Sequence, residues 1–112
     1  MTMEKIIAFG TGSTAEYFYH HMDSRKVEIL AFLNTVESGG TFHEYPVIGL
    51  TELLHYSYDY ILICSGYVDE MTEVLRKNGV PYEKITSFIY DNPSVFRRIQ
   101  EGINENVKAL RA

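Results

Sequence analysis

Short, nearly uninterrupted apolar runs alternate with helix-length amphipathic segments, and this alternation restricts the fold more than any other feature of the chain. The runs are "KIIAF" (Lys5–Phe9), "VEILAFL" (Val27–Leu33), "YDYILIC" (Tyr58–Cys64) and "ITSFIY" (Ile85–Tyr90). Runs this apolar read as strands buried on both faces, as in a parallel sheet covered by helices. "YPVIG" (Tyr45–Gly49) reads as a brief fifth strand, with Pro46 near its start where a missing N–H is tolerated. Between the first two runs, Ala15, Phe18, Tyr19 and Met22 repeat at helical spacing. After the fourth strand, Val68, Met71 and Leu75 do the same. There Asp69 and Glu70 sit in the first turn and Arg76 and Lys77 in the last, as the helix dipole favours. Asn78-Gly79 then stops the helix and Pro81 prevents its continuation. "LTELLHY" reads as one short helix. A final helix is expected over 91–112, with Asn92 as N-cap, Pro93 in its first turn and a stripe of Phe96, Ile99, Ile103, Val107 and Leu110.

The expected fold class is therefore α/β. It is a Rossmann-like three-layer α/β/α domain with a five-stranded parallel sheet of order 3-2-1-4-5, plus a C-terminal helix. At 112 residues the chain fits one domain, 1–112. The polar, glycine-containing stretch Asn34–Tyr45 is the expected soft region. The net charge of −5 and the scattered basic residues argue against nucleic acid or an anionic membrane as partner, since both need clustered Lys and Arg. A single cysteine, Cys64, excludes an intrachain disulfide and agrees with a reducing compartment. The apolar start is too short for a signal peptide, and no stretch reaches the length of a membrane span. The expectation is a cytoplasmic protein, or a cytoplasmic part of a larger one.

The first strand runs into "FGTGSTA", which gives Gly10-x-Gly12-x-x-Ala15. The first βα turn of a dinucleotide-binding unit has this form. Gly10 permits the tight turn, Gly12 lets a pyrophosphate approach the backbone, and a small residue at Ala15 lets the helix pack close. Thr11, Ser13 and Thr14 complete the bend, whose free N–H groups and helix dipole favour an anion. A ligand-free alternative exists. Ser13-Thr14-Ala15-Glu16 also matches a capping box, in which Glu16 would satisfy the helix end itself and repel a phosphate. About 20 residues beyond the bend, where an acidic residue usually bonds the ribose, stands Asn34. Asn34 can hydrogen-bond a ribose hydroxyl but lacks the charge; equally, it can simply start a loop. Ser65 and Gly66 end the fourth strand at the expected switch point and either line a ligand crevice or serve the next helix, with Ser65 as its cap.

Gly10-x-Gly12-x-x-Ala15, "AFLN", "YPVIGLTEL", "YDYILIC" and "NGVPYEKI", in this order, resemble the Rossmann-like nucleotide-binding domain associated with bacterial polysaccharide-biosynthesis enzymes. Its relatives accompany nucleoside-diphosphate-sugar epimerases and dehydratases, sugar acyltransferases and FkbM-type methyltransferases. The resemblance covers about residues 4–90. That family usually has Asp where this chain has Asn34. The resemblance implies binding of NAD, NADP or a nucleotide sugar, and it supplies no catalytic residue.

Other reactive side chains point nowhere firmer. No tyrosine has a lysine four positions later, as a short-chain dehydrogenase would need. His20 and His21 diverge by about 100° on a helix and cannot easily share a metal. They are expected with Tyr17 on the face opposite Ala15 and Phe18, towards solvent or a subunit. His43 and His55 have no partner at metal-ligand spacing, so no metal site is expected. Cys64 reads as inert core, and Tyr67 could stack on a base or serve an interface. The leading expectation is a nucleotide-binding domain without its own complete catalytic set, working with a second domain or as a homo-oligomer. The alternatives are a ligand-free assembly module and a coenzyme A-binding domain.

Overall fold

The computed structural model describes residues 4–22 and 24–87. The expected terminal helix over 91–112 and the last residues of the strand "ITSFIY" lie outside them. Strands β1 (Glu4–Phe9), β2 (Val27–Leu33), β4 (Tyr45–Ile48), β5 (Tyr60–Ile63) and β6 (Ile85–Ser87) pair in parallel. Their order, β4-β2-β1-β5-β6, is the doubly wound order expected from the sequence. One strand was not expected. β3 (Thr41–Phe42) pairs antiparallel with Tyr45 and Pro46 of β4, and the parallel sheet gains an antiparallel sixth strand at its edge. Half of the segment expected to be soft is thereby drawn into a hairpin. His43 and Glu44, both at positive φ (50° and 72°), form its turn.

The strands are apolar on both sides because each side has its own core. Ile6, Ala8, Ile29, Phe32, Leu62 and Cys64 face one cluster, where Ala15 and Phe18 of helix α1 (Ser13–His21) pack on them. Ile7, Phe9, Ala31, Leu33, Ile61 and Ile63 face the other, covered by Leu75 of helix α2 (Val68–Lys77) and by Leu53. Alternation along each strand assigns residues to these faces. Ile6 pairs with Ile29 but Ile7 with Ala31, so a bulge in β2 falls at Leu30. "LTELLH" forms a 3-10 helix, Leu50–His55, entered through a Gly49 N–H donated to the Glu52 Oε1 at 3.1 Å. β1 and β5 are neighbours with α1 and α2 on opposite faces, so their carboxyl ends mark the point where the winding reverses.

Candidate functional site

The bend after β1 is built by three strands. The Phe9 carbonyl accepts from the Cys64 N–H (2.9 Å), and the Gly10 N–H donates to the Leu33 carbonyl (2.9 Å). Gly10 is thereby held between β2 and β5 at φ +128°, where a Cβ would come within 2.9 Å of the Cys64 carbonyl oxygen. Its glycine is explained by the fold alone. Gly12 differs. It is the N-cap of α1 at φ −94°, ordinary for any residue, and a Cβ there would have nothing within 4 Å. The space beside Gly12, Ser13 and Thr14 is therefore open. The first bond of the helix is Glu16 N–H to the Gly12 carbonyl at 3.1 Å, so the earlier first-turn N–H groups have no partner within the helix.

The capping box is not formed. Gly12, not Ser13, is the N-cap, no side chain caps the helix, and Ser13 is its first helical residue. Glu16 turns away from the bend. Its Oε1 lies 2.5 Å from His43 Nε2 and 3.5 Å from His20 Nε2. His43 gains these neighbours because the β3–β4 turn carries it across to α1, a proximity that linear spacing does not reveal. The ring of His43 stacks on Tyr19 (centroids 4.0 Å apart, 8° between planes) and meets Phe42 edge-on at 4.8 Å. His20 accordingly does not share a face with His21. His21 packs edge-on against Tyr17 at 4.3 Å, while His20 leans to Glu16 and the rings of Tyr19 and His43. The only sequence hint was the i, i+4 spacing of Glu16 and His20.

Asn34 ties the bend to the loop after β2. Its Nδ2 donates to Thr11 Oγ1 (2.8 Å), and its Oδ1 accepts the N–H groups of Val36 and Glu37, each at 2.9 Å. It therefore does start a loop, and it also reaches the glycine bend. One amide hydrogen on Nδ2 is left over from these bonds. Ser65 Oγ accepts the Tyr67 N–H at 3.1 Å, a local turn rather than a helix cap, since Tyr67 is the N-cap of α2. Gly66 is exposed, with nothing within 4 Å of a Cβ, and Tyr67 is 72% exposed. A groove of about 710 Å³ opens from Gly66 between α2 and β6, lined by Ile63, Asp69, Arg76, Tyr82 and Ser87. It does not include the glycine bend. The groove begins at the N-terminus of α2 and carries the acidic Asp69, Glu70 and Glu73 together with the basic Arg76.

Cys64 lies beneath the bend, buried, with its Sγ donating to the Leu62 carbonyl at 3.7 Å. Burial pushes its thiol well above the ordinary value, since the thiolate would lose its solvation. Cys64 is expected to resist a thiol reagent such as iodoacetamide in the native protein and to react only on unfolding in urea. Rapid native alkylation at neutral pH would contradict its placement.

Residues 2–86 match the family described as C2185-like, N-terminal. The chain belongs to that family. The fold of this C2185-like domain is similar to that of an engineered D-amino acid dehydrogenase bound to NADP+, with a TM-score of 0.57 at 16% identity over 96% of this chain and 34% of the other. A multiply substituted meso-dapdh from Clostridium tetani, solved with DAP, superposes with a TM-score of 0.54 at 14% identity, over 91% of this chain and 33% of that one. The C2185-like chain thus spans about a third of the length of these structures, and at such identities the likeness is one of fold alone, a Rossmann-like α/β sheet. No curated protein matches the chain. Among the described residues, no helix is long and apolar enough to cross a membrane.

Proposed function

We propose that this domain binds a nucleotide-containing ligand, NAD(P) or a nucleotide sugar, with the diphosphate on the N–H groups of Gly12, Ser13 and Thr14. The observation that carries this reading is the open space at Gly12 on an uncapped helix N-terminus, with the Glu16 carboxylate drawn off towards His43. A carboxylate folded onto the bend would occupy the same N–H groups and repel the phosphates. Gly10 and Ala15 shape the turn, Thr11 braces it through Asn34, and the remaining Nδ2 hydrogen of Asn34 serves a ribose hydroxyl. Ser65 and Gly66 close the far side. Asn34 would repel a 2′-phosphate less than the usual Asp, so NADP stands beside NAD as the cofactor. The order of motifs in the sequence supports a place among the polysaccharide-biosynthesis domains described above, in a cytoplasmic protein. Among the described residues, the bend itself (Gly10 to Thr14) carries no carboxylate, imidazole or amine, so on this reading the chemistry is left to a second domain or another subunit.

The test is thermal unfolding with NAD+, NADP+, a UDP-sugar and coenzyme A in turn. A ligand at a hundredfold its dissociation constant stabilises by about 2.7 kcal/mol, which raises the midpoint of a domain this size on the order of 10 °C. Gly12→Asp is the discriminating variant. Asp is a favoured N-cap, so it should hold or slightly raise the unliganded stability while its carboxylate takes the phosphate's place. Loss of the ligand shift in Gly12→Asp is the expected result. A shift that survives this substitution would move the ligand elsewhere, one with coenzyme A alone would favour the coenzyme A-binding alternative, and no shift with any ligand would favour the ligand-free assembly module.

A further inference from the structure

Glu16, His20 and His43 lie on two elements far apart in the chain, yet their ligand atoms all fall within 4.8 Å of one another. We propose that they form a binding site for one divalent transition-metal ion of the zinc class, clipping the β3–β4 hairpin to helix α1. This goes beyond the nucleotide reading and does not rest on it.

The donor set is two imidazoles and one carboxylate, which suits zinc and its neighbours rather than magnesium or calcium. Helix geometry brings two of the donors together, since Glu16 and His20 are one turn apart on the same stripe. The third comes from the tight turn of the hairpin. Zinc bonds of about 2.0–2.1 Å in a tetrahedral arrangement hold ligand atoms about 3.3 Å apart. The separation of Glu16 Oε1 and His20 Nε2, 3.5 Å, is within about 0.2 Å of this value. The contact between Glu16 Oε1 and His43 Nε2, 2.5 Å, is a hydrogen bond that would widen by about 0.8 Å as a metal replaces the shared proton.

His43 is also preorganised. Tyr19 stacks on one face of its ring and Phe42 meets it edge-on, so the ring cannot swing freely. A ligand whose orientation is fixed in advance loses less freedom on binding. The His43 side chain is only 27% exposed, whereas those of Glu16 and His20 are 47% and 61% exposed. An ion can therefore enter from the solvent side, and water can complete its coordination.

The experiment uses the whole chain, free of any affinity tag and dialysed against a chelator. Calorimetric titration with Zn2+ should give one ion per chain, and Co2+ should give the visible absorption of a four- or five-coordinate site. Glu16→Gln, His20→Ala and His43→Asn should each weaken binding by about 10–100-fold or more, because losing a ligand costs no less than losing an outer-sphere partner. Asn at position 43 tolerates the positive φ there, so this variant should fold. His55→Ala, on the 3-10 helix, should bind like the parent. Failure of the parent to bind zinc at one ion per chain would overturn the proposal. Binding that stays equally strong in any of the three ligand variants would overturn it too.

Discussion

Replacing Gly10 with alanine is expected to destabilise the domain by about 3 kcal/mol or more, measured as a loss in urea midpoint at unchanged m-value. Two costs coincide. At φ +128° an L side chain is strained wherever it points, and here it points at the Cys64 carbonyl oxygen, 2.9 Å away. Rotating the residue does not relieve the clash. Its N–H is bonded to Leu33 and its neighbour Phe9 accepts from Cys64, so relief at Gly10 would break the junction of three strands. Gly12→Ala is the matched control. Its φ is ordinary and the space is open, so its effect should stay at about 1 kcal/mol or less, the cost of alanine at a helix N-cap. Equal effects at the two glycines would mean that the bend is not held as described.

Phe18→Ala should cost about 3–5 kcal/mol in the same measurement. Phe18 is fully buried and, with Ala15, anchors α1 on the sheet face formed by Ile6, Ala8, Ile29 and Phe32. Its ring packs in a cluster with Val27, Val47, Leu62 and Cys64 as well, so its removal opens a cavity in the core itself. The lost contacts also position the helix N-terminus. If the bend holds the proposed nucleotide, the variant should therefore also weaken its binding, although no residue of the bend is replaced. Phe18→Leu, which fills most of the volume, should recover most of both losses. Near-native stability in Phe18→Ala would show that α1 is held by something other than this core.

Much of the architecture could be read from residue order. Ile6, Ile7, Ala8 and Phe9 had to be covered on both faces, and this already demanded helices above and below a parallel sheet. The strand order followed from the doubly wound pattern, and Gly10 announced the bend. The sixth strand leaves no mark in the sequence because Thr41–Phe42 is two residues long inside a polar stretch. Its pairing depends on the hairpin, not on any local pattern. Ser13 and Glu16 fitted a capping box by spacing, but spacing says nothing of a histidine arriving from 27 residues away to compete for the carboxylate.

The chain alone determined the five parallel strands, helices α1 and α2 and the sharp turn at Gly10, because burial on both faces and helical periodicity leave marks in local composition. The tertiary structure decided where Glu16 points and what surrounds His43. Those outcomes depend on which surfaces meet across the edge of the sheet, and energies of long-range contact have no counterpart in local spacing. The same contact leaves the first turn of α1 open and gathers three metal-ligating side chains one turn further along.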